Sequence, residues 1–111
     1  MDRLAAIMTR LEATIASRKG AAPSTSYTAK LLSEGPARAA KKLGEEAAET
    51  IIAAAQNDPE ALAAESADLI YHWLVLLAAS GVSTDAVAAK LEMREGRSGL
   101  EEKASRKPEI N

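Results

Sequence analysis

The 111-residue sequence contains no cysteine and no phenylalanine, and its aromatic residues are one tryptophan and two tyrosines. Without cysteine there is no disulfide framework, no thiolate zinc site and no cysteine nucleophile, which disfavours a small stapled secreted module. A reducing, cytoplasmic setting fits that absence. An excess of one charge is also missing: 14 Lys plus Arg stand against 16 Asp plus Glu, a formal net charge of −2. Nucleic-acid-binding domains carry a clear basic excess, so no duplex partner is expected. The longest apolar stretch, residues 69–82, is interrupted by His72 and falls short of the roughly 20 residues that cross a bilayer. It reads as a buried helix, and no membrane association is expected. The N-terminus has Asp2 and Arg3 at once, then Arg10 and Glu12, so it lacks the apolar core of a signal peptide.

Helix-forming pattern is abundant instead. Alanine, the best helix former, makes up roughly a quarter of the chain, and runs of β-branched or aromatic residues are absent. The fold class expected is all-α. Leu4, Ile7, Met8, Leu11 and Ile15 recur at spacings of three and four, forming one apolar stripe that ends before Gly20. A loop follows over residues 20–26, then a short helix over 27–33. Gly35 and Pro36 open a long helix to about residue 56, and Asp58 and Pro59 open the next, which stops at Gly81. So brief a connection predicts an antiparallel helix hairpin. Ser83 caps a last helix expected to run to about Gly96. The predicted division is an all-α domain over residues 1–96 and a polar tail over 97–111. The hairpin core is expected to be completed by dimerisation, because residues 69–77 are apolar on nearly every side of their helix.

Two carboxylate clusters carry the chemistry. Glu45, Glu46 and Glu49 (EEAAE) lie within one face of the first hairpin helix, and Glu65 and Asp68 (ESAD) within one face of the second. A single ExxE or ExxD in an alanine-rich helix usually marks a solvated acidic face. Here the first cluster has no Lys or Arg three or four residues after it, and the second leads into an apolar helix that holds it near the core. Carboxylates facing one another across a hairpin repel by several kcal/mol unless a cation neutralises them, and a hard, oxygen-ligated ion such as Mg²⁺ does so. The Glu-x-x-His pairs of a di-iron bundle are missing. His72 lies on the side of Glu65 and Asp68 and reads first as a core histidine, with contact to substrate or metal as the alternative.

The EEAAE run and, fifteen residues on, ESAD resemble the ExxE and ExxD pair of the all-α, MazG-like nucleoside triphosphate pyrophosphohydrolases. Within that superfamily, SYTAKLLSEGPARAAKKLGEEAAETIIAA, ESADLIYHWLVLLAASGVS and REGRSGLEEKASR are similar to the phosphoribosyl-ATP pyrophosphohydrolase family of histidine biosynthesis. The resemblance spans nearly the whole chain. It implies Mg²⁺-dependent hydrolysis of phosphoribosyl-ATP to phosphoribosyl-AMP and pyrophosphate by a helical dimer or higher homo-oligomer. It also implies metal ligands drawn from Glu45, Glu46, Glu49, Glu65 and Asp68, with Glu45 as ligand or as the base that orients water.

Polyphosphate chemistry needs charge neutralisation and a positioned water more than it needs a covalent nucleophile. Lys30, Lys42, Arg94 and Arg97 are the candidate phosphate contacts, each with solvated surface charge as the plain alternative. A house-cleaning (d)NTP pyrophosphohydrolase and a non-catalytic helical dimerisation module are the competing readings. The first would differ in its substrate pocket; the second leaves the matched carboxylates unexplained.

Overall fold

The structure, a computed structural model, describes residues 2–95. Among them every regular element is helical. Helix α1 spans Arg3–Ser17, and the Asp2 side chain caps it by accepting from the Leu4 amide at 3.0 Å. A single 3₁₀ turn at Pro23–Thr25 lies within the expected loop and leads into α2, Tyr27–Glu34. Ser26 caps α2 through the Ala29 amide at 2.9 Å.

The two long helices follow as α3, Pro36–Ala55, and α4, Pro59–Ser80. Gly35 joins α2 to α3 at φ 89°, a left-handed value that a side chain would strain, and Pro36 then supplies the first helical turn. Asn57 takes φ 55°, turning the chain, and the Asp58 carboxylate caps α4 through the Ala61 amide at 3.0 Å. Along the shared face of α3 and α4, Leu43 and Ala47 sit by Leu69, Ile70 and Trp73, Thr50 reaches Glu65, and Ala54 sits by Leu62. Residue numbers on the two helices therefore run in opposite senses.

The last helix, α5, covers Thr84–Glu92 and is capped by Ser83 through the Ala86 amide at 3.1 Å. It is shorter than the expected run to Gly96. The amides of Arg94 and Glu95 bond the carbonyls of Leu91 and Glu92, three residues back, so the chain tightens into turns after Met93. Glu12 of α1 holds the start of α5 in place, accepting from the Thr84 amide at 3.1 Å and its hydroxyl at 2.7 Å.

The core gathers Ile15, Leu31, Ala39, Leu74 and Val75, one or two side chains from each of the first four helices. Its centre is α4, whose stretch His72, Leu74 and Val75 is buried. By length and composition alone α4 passes for a membrane span, its 22 residues exceeding the apolar stretch read from sequence because the helix begins at Pro59. Its first half nevertheless carries Glu60, Glu65 and Asp68, and its second half forms the core. Leu69, Ile70, Trp73, Leu76 and Leu77 stay only half-buried, and Ile51 and Ile52 on α3 are 68% and 53% exposed.

Candidate active site between two helices

Carboxylates from α3 and α4 meet where the helices pack. Oxygen atoms of Glu46, Glu49 and Glu65 lie within 4.8 Å of one another. The hydroxyl of Thr50 stands between the carbonyl oxygens of Glu46, at 2.8 Å, and Glu65, at 3.2 Å, sharing its one proton across both helices. Helix phase explains the grouping: Glu46 and Glu49 are about 60° apart around α3 and so share a face. Glu46 and Glu65 are half-buried there, and Glu49 is exposed.

One oxygen of Glu46 and one of Glu65 are fully buried yet accept no hydrogen bond. An unpartnered buried carboxylate oxygen costs free energy that a hydrogen-bond donor or a cation must offset. The Glu49 carboxyl beside it, and then burial, hold the Glu65 carboxyl above its ordinary range, with smaller contributions from Asp68 and Glu46. Every donor atom in this cluster is a carboxylate oxygen, a hard ligand set suited to Mg²⁺ or Ca²⁺ rather than to a soft metal.

The remaining candidates are placed differently. Glu45 shares the face of Glu49, about 40° away around α3, yet is not among the three whose oxygens gather; its Oε2 pairs instead with Lys42 Nζ at 3.0 Å. Lys42 holds the Glu45 carboxyl below the usual carboxylate range, while Glu45 first, and Tyr27 next, hold the Lys42 ammonium above its own. Asp68 is an exposed residue one turn beyond Glu65, close enough to act on it electrostatically. Lys30 is exposed on α2 and Arg94 exposed just beyond α5; among the described residues neither pairs with a carboxylate. Arg97, and the tail with it, lies outside the described residues.

His72 reads from sequence first as a core histidine, and its burial agrees with that reading; the partners that hold it were not foreseen. His72 is 7% exposed. Its Nδ1 lies 2.8 Å from the Asp68 carbonyl oxygen and its Nε2 lies 3.2 Å from the Tyr27 hydroxyl. Tyr71, the preceding residue on α4, pairs its hydroxyl with that of Thr28. Two neighbours at the start of α2 are thus fastened to two neighbours on α4. The S-Y-T start of α2 was the available signal, but contacts across more than forty residues have no periodicity to reveal them.

The fold and the cluster define a class: an all-α protein with an oxygen-only carboxylate site between two long helices. The sequence pattern described as Phosphoribosyl-ATP pyrophosphohydrolase matches residues 8–95. A protein of Caulobacter vibrioides (strain NA1000 / CB15N) named phosphoribosyl-ATP pyrophosphatase is 69% identical over 105 residues, covering 95% of this chain and 97% of its own. Proteins of the same name from Methylobacterium radiotolerans and Azospirillum brasilense are 62% identical over 98 residues and 55% over 103, covering 88% and 93% of this chain and 92% and 93% of their own. This chain belongs to the phosphoribosyl-ATP pyrophosphohydrolase family.

Proposed function

We propose that this chain hydrolyses phosphoribosyl-ATP to phosphoribosyl-AMP and pyrophosphate, the second step of histidine biosynthesis, in the cytoplasm and with Mg²⁺. The observation that carries the reading is the pair of buried, unpartnered oxygens on Glu46 and Glu65, in a chain so similar to proteins named for that activity. Mg²⁺ would be held by Glu46, Glu49 and Glu65, with Asp68 one turn along α4 as the next ligand. When bound, the ion neutralises polyphosphate charge and polarises the reacting oxygens.

The chain's own residues do the rest. The acidic face orients a water whose oxygen bonds to phosphorus at the α–β bridge. The phosphoanhydride bond breaks, pyrophosphate departs, and a carboxylate of the cluster takes the water's proton. Glu45 is the poorer base while Lys42 holds its charge. Lys42 is the phosphate contact favoured here, exchanging Glu45 for a substrate oxygen when substrate arrives; Lys30, Arg94 and Arg97 are the further candidates.

The working unit is a homodimer built on the antiparallel α3–α4 hairpin. A cavity of about 350 Å³ lined only by Leu43, Ala47, Leu69, Ile70 and Trp73 supports this, as do the exposed Ile51 and Ile52. Apolar surface of that kind is covered in a stable soluble protein.

Pyrophosphate release measured with phosphoribosyl-ATP beside a panel of NTPs and dNTPs, with and without Mg²⁺, tests the reading. Turnover confined to phosphoribosyl-ATP and dependent on Mg²⁺ is the expected result. Preference for a (d)NTP would identify a house-cleaning hydrolase, and no turnover of any nucleotide would leave a helical dimerisation module.

A further inference from the structure

Tyr27 is half-exposed, at 49%, yet its hydroxyl is committed inward. The direction of that hydrogen bond follows from the other side of the imidazole. Nδ1 of His72 faces the Asp68 carbonyl oxygen, which can only accept, so Nδ1 carries the ring's hydrogen. In the neutral ring Nε2 then has a lone pair, and Tyr27 donates its phenolic proton to it. The tyrosine proton is therefore spent within the protein, and the phenol oxygen presents lone pairs to its surroundings. Such an oxygen repels a phosphate.

What Tyr27 has free is its ring. Tyr71 lies beside it, with ring centroids 6.5 Å apart and planes 23° from parallel, and the edge of the His72 ring meets it at 75°. The ring has aromatic neighbours in Tyr71 and His72, and about half of the residue's surface remains exposed. Its position relative to the carboxylates follows from the helices that hold it. His72, which holds the Tyr27 hydroxyl, lies seven residues after Glu65 on α4, so at 1.5 Å per residue that contact stands roughly 10 Å along the helix from the cluster. That is the span of a ribose and one phosphate.

We infer that Tyr27 is the stacking platform for the purine base of the substrate, and that His72 is the positioning residue that fixes its ring. The inference rests on the nucleotide reading above and adds to it the place where the base is read. Stacking on an aromatic ring contributes enough for its removal to weaken binding by about tenfold or more.

Direct binding separates base from phosphate. AMP and, separately, pyrophosphate are titrated by calorimetry, each with MgCl₂, into the wild-type chain and into Tyr27→Phe, Tyr27→Ala and His72→Gln. Tyr27→Phe is expected to keep AMP affinity within about threefold, and Tyr27→Ala to lose about tenfold. His72→Gln, which removes the same hydrogen bond as Tyr27→Phe, should match that variant, and should have no further effect in the Tyr27→Ala background, where there is no ring left to position. Pyrophosphate affinity should be unchanged throughout, which also shows that each variant is folded. Equal losses of AMP affinity in Tyr27→Phe and Tyr27→Ala would make the hydroxyl the contact and overturn the inference. Unchanged AMP affinity in Tyr27→Ala, or a parallel loss of pyrophosphate, would overturn it as well. A wild-type chain that binds neither probe would sink the nucleotide reading itself, and this inference with it.

Discussion

The hydroxyl of Thr50 on α3 reaches the main-chain carbonyl of Glu65 on α4 at 3.2 Å. It thereby locks the register between the two helices that supply the carboxylate cluster, at the residue whose side chain enters it. Removing the hydroxyl while keeping the shape, as in Thr50→Val, should lower stability by about 1 kcal/mol. It should also weaken Mg²⁺ binding several-fold. Thermal melts with and without Mg²⁺ check both; an unaltered metal-dependent shift in melting temperature would show that the lock is irrelevant to the site.

Glu65→Gln is expected to act with opposite signs in the two states. Without metal it removes a buried charge that sits among other carboxylates, so the variant should melt at or above the wild-type temperature. With Mg²⁺ the wild type gains about 2.7 kcal/mol at a concentration one hundred times Kd, and the variant should gain much less. Glu49→Gln should abolish turnover. Full activity in either variant would contradict the assignment.

The raised Glu65 carboxyl sets the sign of the pH dependence. A carboxyl whose folded pKa exceeds its unfolded value contributes stability that is fully present below the unfolded value, about 4.3. That contribution is lost as pH rises through the folded pKa. The metal-free protein is therefore expected to lose this increment of stability as pH rises above the unfolded value and through the folded one. Mg²⁺ must displace the retained proton, so its affinity should fall as the solution is acidified. Calorimetric Mg²⁺ titrations in buffers of different ionisation enthalpy should detect proton release that grows as pH is lowered; buffer-independent heats at every pH would count against it.

Lys42 and Glu45 form an exposed pair one helical turn apart, and such pairs add little to stability. Lys42→Met should shift the melting temperature negligibly. If Lys42 contacts substrate phosphate, the same change raises KM for phosphoribosyl-ATP by tenfold or so, and an unchanged KM would return Lys42 to the solvated surface.

Ile51 and Ile52 provide the test of assembly, since both project from α3 into solvent in the single chain. Ile51→Glu should convert a dimer to monomers in sedimentation experiments. A wild-type chain that sediments as an active monomer would remove the dimer from the proposal.

What the sequence determined by itself is local. Spacings of three and four residues, the caps at Asp58 and Ser83, and the prolines at 36 and 59 act within one or two turns of backbone, so helix class and these starts are legible from neighbouring residues alone. The end of α5 was not, because no glycine or proline lies at Met93 to mark where the chain tightens. The two acidic stretches were equally plain, but which of their members meet was not. Glu45 and Glu46 are adjacent in the chain, and only the rotation of α3 against α4 turns Glu46 inward and leaves Glu45 with Lys42. That rotation belongs to the packing of α3 on α4, where Ala39 enters the core and Thr50 bonds the Glu65 carbonyl. Likewise Tyr27 and His72 are 45 residues apart, and nothing near either of them specifies the other. Their meeting is decided by where α2 docks on α4, a choice made by burial of side chains from four helices at once rather than by any local preference.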